Sequence, residues 1–147
     1  MGRKLPKFDR QFAEEVSIAL ALTTSVEQAR LVKNAGKHLL SIPQTELVYE
    51  LAFLRIFLSW ETLLEATLLR LMCGYRISGG PEPLAQGRAY YTQLTTAEAA
   101  LLGRQRYQLW HNPNQVVRRA QYFFLNSRYE ITLSSARSRL EHLAAVR

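Results

Sequence analysis

The chain has one cysteine, Cys73, and one aspartate, Asp9, and it holds no stretch in which apolar and polar residues alternate for long. Each scarcity excludes something. A lone cysteine cannot close an internal disulfide, which suits a reducing, cytoplasmic setting. It sits among Leu71, Met72 and Gly74 with no His or Cys at ligand spacing, as a structural cysteine would. Glycine loops for phosphate, paired cysteines for zinc and an HExxH helix are all missing from the sequence. The single aspartate leaves Ser, His and Asp in no hydrolase pattern. Without sustained alternation, strands have little to be built from.

Long apolar runs are missing too. The most apolar stretch, Leu47 to Met72, is broken by Glu50, Arg55, Glu61, Glu65 and Arg70, charges that a bilayer would make costly. The basic start has no apolar segment behind it, and Pro6 stands where an N-myristoylation signal wants Ser or Thr. These features predict a soluble protein with no membrane partner.

What is present is helical periodicity over 147 residues, enough for one domain with a real core. Hydrophobic residues make up 48% and charged residues 21%, so the chain is globular rather than disordered. Phe8, Phe12, Val16, Ala19 and Leu22 predict a first amphipathic helix. Ser25 and Gln28 have capping-box spacing and predict a second one, through Leu31, Val32, Leu39 and Leu40 to Pro43. The strongest element spans Gln44 to Cys73, with Leu47, Leu51, Leu54, Leu58, Leu64, Leu68 and Leu71 in a stripe widened by Phe53, Ile56, Phe57, Trp60 and Leu63. So wide a stripe predicts packing on two sides, and with it a homodimer. Gly74 offers a C-cap. After the break at 79–83, Thr95 and Glu98 suggest a capping box for a short helix to about Leu102. Asn112 followed by Pro113 predicts the start of a helix that ends near Asn126 and Ser127. A last helix begins about Tyr129 and keeps its period through Leu133, Leu140, Leu143, Ala144 and Val146. The expected architecture is all-α: an antiparallel bundle of about four main helices, with an irregular insertion between Gly74 and His111.

The net charge of +7 is unevenly spread. From Arg104 to Arg147 there are eight arginines and two acids, Glu130 and Glu141, and Tyr107, Trp110, Tyr122, Phe123, Phe124 and Tyr129 lie among them. Basic and aromatic groups on one surface suit RNA, through phosphate contacts and base stacking, with Arg104, Arg106, Arg118, Arg119 and Arg139 as candidate contacts. The same composition also describes a solvated basic face over an aromatic core. His38, His111 and His142 sit in separate segments, which argues against a shared metal. Glu61 follows Trp60, expected to be buried, and interrupts an apolar stretch. Burying a carboxylate is costly unless it is paired, so Glu61 is an exposed helix position, a structural ion pair near Arg55 or Arg70, or a group reaching into a cleft.

Tyr49 to Tyr75, YELAFLRIFLSWETLLEATLLRLMCGY, resembles the long second-hairpin helix of the RiboL-PSP branch of the HEPN superfamily. WHNPNQVVRRAQYFF and YEITLSSARSRLEHLAAVR are similar to the segments that follow it in that family, in the same order. The resemblance implies a metal-independent RNA endonuclease with no cofactor, working as a homodimer whose two motifs face one cleft. Such proteins serve as toxins or antiviral effectors, which implies an antitoxin or another regulatory protein as a partner. The chemistry implied is attack of a 2′-hydroxyl on its own phosphate, with a histidine moving protons and an arginine stabilising the developing charge.

The family's motif is an arginine with a histidine about five positions later. LEHLAAVR matches the approach to that arginine, which puts it at Arg147, with Glu61 near the same cleft. The motif's asparagine and histidine would then follow Arg147, so that this chain is cut just inside its motif and cleaves poorly. A second alignment places the pair at Arg137 and His142. Those positions lie about 140° apart on a helix, so they would meet only in a groove or across a dimer. A reading from a different class is a non-catalytic helical module that docks RNA or a protein through its basic C-terminal half.

Overall fold

The computed structural model describes residues 3–34, 36–77, 80, 83–84, 89–105 and 110–145, with the side chains of 140 and 143–145 left out. Helices dominate the described residues: α1 Phe8–Leu31, α2 Ile42–Met72, α3 Leu94–Leu102, α4 Pro113–Phe124, α5 Arg128–Ser135 and α6 Arg137–Ala145. Two short strands, β1 Lys33–Asn34 and β2 Lys37–His38, form an antiparallel hairpin. Among the described residues no helix is long and apolar enough to cross a membrane. The chain divides into two compact units, Lys7–Leu63 and Met1–Pro6 with Leu64–Arg147.

In the first unit α1 and α2 are joined by side-chain contacts whose order is antiparallel. The Phe12 and Trp60 rings lie 5.9 Å apart, Arg55 Nε donates to Glu15 Oε2 at 2.6 Å, and the Tyr49 hydroxyl donates to Glu27. That bond to Glu27 holds the Tyr49 phenol above its ordinary pKa, because it stabilises the protonated form. Trp60, expected to be buried, is half-buried.

The second helix expected from Ser25 to Leu40 does not form, and α1 runs through Ser25 instead. The Ser25 hydroxyl donates to the Ala21 carbonyl at 2.9 Å, a mid-helix bond that competes with capping. The chain leaves the helix at Val32, in extended conformation, and turns back through Gly36, whose φ of 79° suits a residue without Cβ. Lys33 pairs with His38 and Asn34 with Lys37, while His38 Nδ1 donates to the Arg30 carbonyl at 2.8 Å.

The second unit holds the larger apolar core. Leu64, Leu68, Leu69, Leu71 and Met72 of α2, Ala97 and Leu101 of α3, and Val116, Val117, Ala120, Phe123 and Phe124 of α4 are all buried, as is Trp110. Helix α2 closes in a Schellman turn: Gly74 N–H donates to Leu71 O at 3.0 Å, and Tyr75 N–H donates to Arg70 O at 3.0 Å. Gly74 has φ 80°, and a Cβ there would meet the Tyr90 ring at 3.1 Å. The N-terminal residues run beside the chain after α2, with Leu5 N–H donating to Arg76 O and Arg76 N–H to Arg3 O, each at 2.8 Å.

Helix α3 begins at Leu94 with no side-chain cap, so Thr95 lies inside it rather than capping it. Helix α4 starts as its sequence predicts. The Asn112 side chain accepts from Asn114 N–H and Gln115 N–H, and Pro113 occupies the first turn. It ends at Phe124, Asn126 takes φ 61°, and the Ser127 hydroxyl caps α5 by accepting from Glu130 N–H at 3.2 Å. Helices α5 and α6 both lie against α4.

The single last helix expected from Tyr129 onward is two helices, with a break at Ala136. Hydroxyls crowd that point: Thr132 donates to Arg128 O and Ser135 to Thr132 O, both at 2.8 Å, and Thr132 O also accepts from Ala136 N–H at 3.1 Å. Hydroxyls thus share these carbonyls with the backbone, back-bonding of the kind that bends helices. The expected continuation through the side chains of Leu140, Leu143, Ala144 and Val146 lies outside the described residues.

Candidate nucleic-acid interface

The 3.6-residue period of α4 sorts its residues into two sides. Val116, Val117, Ala120, Phe123 and Phe124 point into the core, which leaves Arg118 exposed and Arg119 half-buried. Tyr122 follows Arg118 by one turn on the same side and is 60% exposed. Its ring meets Phe123 edge-on, with centroids 4.8 Å apart and planes at 88°. A buried neighbour thus steadies an outward ring whose face stands one helical turn from a guanidinium. Such a pair can hold a phosphate and a base together.

The other aromatic residues of the basic region are placed differently. Trp110 is 2% exposed and donates its indole N–H to Glu65 Oε2 at 3.0 Å, while Phe123 and Phe124 are buried and Tyr129 is half-buried. Burial pushes the Tyr129 phenol up, opposed by the Ile77 backbone and by Arg128 and Arg76. Tyr107 lies outside the described residues. The aromatic content of this region is therefore mostly core, and Tyr122 is the ring it presents outward among the described residues.

Of the candidate arginines, Arg104 is exposed just after α3, and Arg139 is exposed on α6. Arg106 lies outside the described residues. Arg137 Nε is 3.0 Å from Glu141 Oε1, one turn along α6, in an exposed ion pair. His142 is exposed on the same helix. Five residues separate Arg137 from His142, so the two do not share a face of α6. Arg147 lies outside the described residues.

Glu61 is 8% exposed, in the first unit. Its exposed-helix alternative is thereby removed. Arg55, one expected partner, has its ion pair with Glu15. Cys73, read from the sequence as a buried structural cysteine, is half-buried, and that burial pushes its thiol up in pKa against the opposing pull of Arg3 and Arg70. Among the described residues no three of His, Cys, Asp and Glu gather as a metal site would require.

The Arg118–Tyr122 pair was visible in the sequence only as two members of a basic, aromatic region. The signal that could have singled it out is their spacing of four on a helix whose other aromatic residues all fall on the apolar side. No family model, no curated protein and no solved structure matches the chain.

Proposed function

We propose that this chain is an RNA-binding helical domain of the HEPN type, belonging to a metal-independent RNA endonuclease that acts in the cytoplasm as a toxin or antiviral effector. The antiparallel bundle and the homodimer implied by the sequence resemblance are part of this reading, as is a regulatory protein partner. The observation that carries the RNA part is the outward pair of Arg118 and Tyr122 on α4, within a region of eight arginines and two acids. A guanidinium neutralises phosphate, and an exposed ring at one-turn spacing can stack a base. The cleavage part rests on the motif resemblance at the end of the chain. Arg147 is the arginine of choice because LEHLAAVR matches the family's approach to the motif arginine, whereas Arg137 lies well before that point, in an exposed ion pair with Glu141 one turn along α6.

The test is cleavage of single-stranded RNA in the presence of a chelator, by the protein extended through the codons that follow Arg147. Cleavage is expected, with loss on Arg147→Ala and little change on His142→Ala. Loss on His142→Ala alone would move the motif to Arg137 and His142. RNA binding without cleavage in the extended protein would leave the non-catalytic binding module as the function.

A further inference from the structure

The first unit buries little apolar side chain. Ala19, Val26 and Ala52 are the buried hydrophobic residues described between Lys7 and Leu63. In the same unit α2 leaves Leu47, Leu51, Leu54 and Leu58 exposed, at 54%, 54%, 49% and 52%. Their spacing of four, three and four is the heptad seam of a coiled coil. At 100° per residue the four leucines fall within about 60° of arc. Thr45, Ala52 and Ile56, buried or half-buried, lie on the opposite side of the helix, with half-buried Val48 about a quarter turn from the seam. The sequence had these leucines in one wide apolar stripe, and the structure splits that stripe into a covered side and an uncovered one.

We infer that Leu47, Leu51, Leu54 and Leu58 form a self-complementary seam on which a second copy of this chain docks, with the two α2 helices parallel about a two-fold axis.

The charges beside the seam select this occupant. With Leu51 and Leu58 at the a positions and Leu47 and Leu54 at d, Glu50 falls at g and Arg55 at e. In a parallel pair in register, g of one helix faces e of the next heptad on the other, five residues on. Glu50 of each copy then meets Arg55 of the other, twice by symmetry. In an antiparallel pair g faces g and e faces e, so these opposite charges would not meet. Arg55 bonds Glu15 of its own chain through Nε, so the pair with Glu50 of the other copy falls to its terminal nitrogens. The inference rests on the homodimer part of the proposed function and is independent of RNA cleavage.

The experiment measures the mass of the 147-residue chain in solution by light scattering, alone and with Leu51→Glu and Leu54→Glu. These positions are about half exposed in the single chain, so the variants keep their helical circular dichroism. The dimer mass should halve in the double variant, and Glu50→Arg should weaken dimerisation at least tenfold. In a Cys73→Ser background, Leu54→Cys should form a disulfide-linked dimer on mild oxidation, while Phe53→Cys, about 100° around the helix, should not. A monomeric parent chain would overturn both this seam and the homodimer reading. A dimer that survives Leu51→Glu and Leu54→Glu would overturn the seam alone, and crosslinking at Phe53→Cys but not at Leu54→Cys would overturn its register.

Discussion

Trp110 donates its indole N–H to Glu65 Oε2 at 3.0 Å and so ties the turn before α4 to the C-terminal part of α2. The bond spans 45 residues of sequence and joins a ring that is almost fully buried to a partly buried carboxylate. Neither residue owes its place to local propensity. Glu65 stands within an apolar helix because Trp110 needs an acceptor there.

Removing that acceptor leaves the indole N–H unsatisfied in the core. Glu65→Leu is expected to destabilise the protein by about 1–3 kcal/mol. Glu65→Gln keeps an acceptor oxygen and should cost less than about 1 kcal/mol. Urea unfolding followed by circular dichroism decides, with the loss visible in the midpoint while the slope stays unchanged. Equal midpoints for the two variants would show that the bond contributes nothing.

The caps at Asn112 and Ser127 hold consecutive helices. Asn112→Ala should lower stability by about 0.5–2 kcal/mol, and Asn112→Asp should retain most of it, since its carboxylate also accepts from the first-turn N–H groups. Ser127→Ala should fall in the same range. Thermal melts of the three variants beside the parent protein provide the comparison. A loss on Asn112→Asp as large as on Asn112→Ala would count against side-chain capping.

How far the sequence alone reached is clearest at these helix starts. Asn112 and Pro113 announce α4 because cap and first turn are local chemistry, settled within a few residues. Ser25 and Gln28 carry the same kind of signal and start nothing: a serine hydroxyl bonds backward to a carbonyl as readily as forward to an N–H, and here it takes Ala21 O. The hairpin at 33–38 escaped notice because two-residue strands are too short to show alternation. At the candidate interface, charge was legible but exposure was not. The arginines could be counted, while which aromatic residues faced inward depended on the register of α4 against the core. Glu61 was recognised as unusual, but its burial follows from packing that no local pattern reports.

RNA affinity should depend on Arg118 and Tyr122 in different ways. Arg118→Glu with Arg119→Glu should weaken binding and flatten its dependence on salt, since fewer counterions are released. Tyr122→Ala should cost about 1–3 kcal/mol, the worth of one stacked base, with the salt dependence retained. Fluorescence anisotropy with a labelled single-stranded RNA across a salt series separates the two. Affinity indifferent to salt and to all three substitutions would make this side of α4 a solvated surface only.

Cys73 should be slow to react. Burial raises its thiol pKa, so at neutral pH the thiolate is a smaller fraction than in a free thiol, and alkylation needs the thiolate. The rate with iodoacetamide at neutral pH should lie below that of a small thiol, climb as pH rises past the ordinary thiol range, and recover when the protein is unfolded in guanidinium. A folded-state rate equal to the unfolded one would contradict this.

The interruption at Ala136 changes how any mutational scan of the C-terminal region should be interpreted. Ala136 has ψ near −1°, well off the helical value, so residues beyond it are rotated from where a continuous helix would carry them. A single helical wheel drawn from Tyr129 onward would mix two phases and assign residues to sides they do not occupy. Sensitivity should come in two series, one phased on Arg128–Ser135 and one on Arg137–Ala145, with a discontinuity between them. Charge placed on one side of the first helix carries no information about the side of its nominal neighbours in the second.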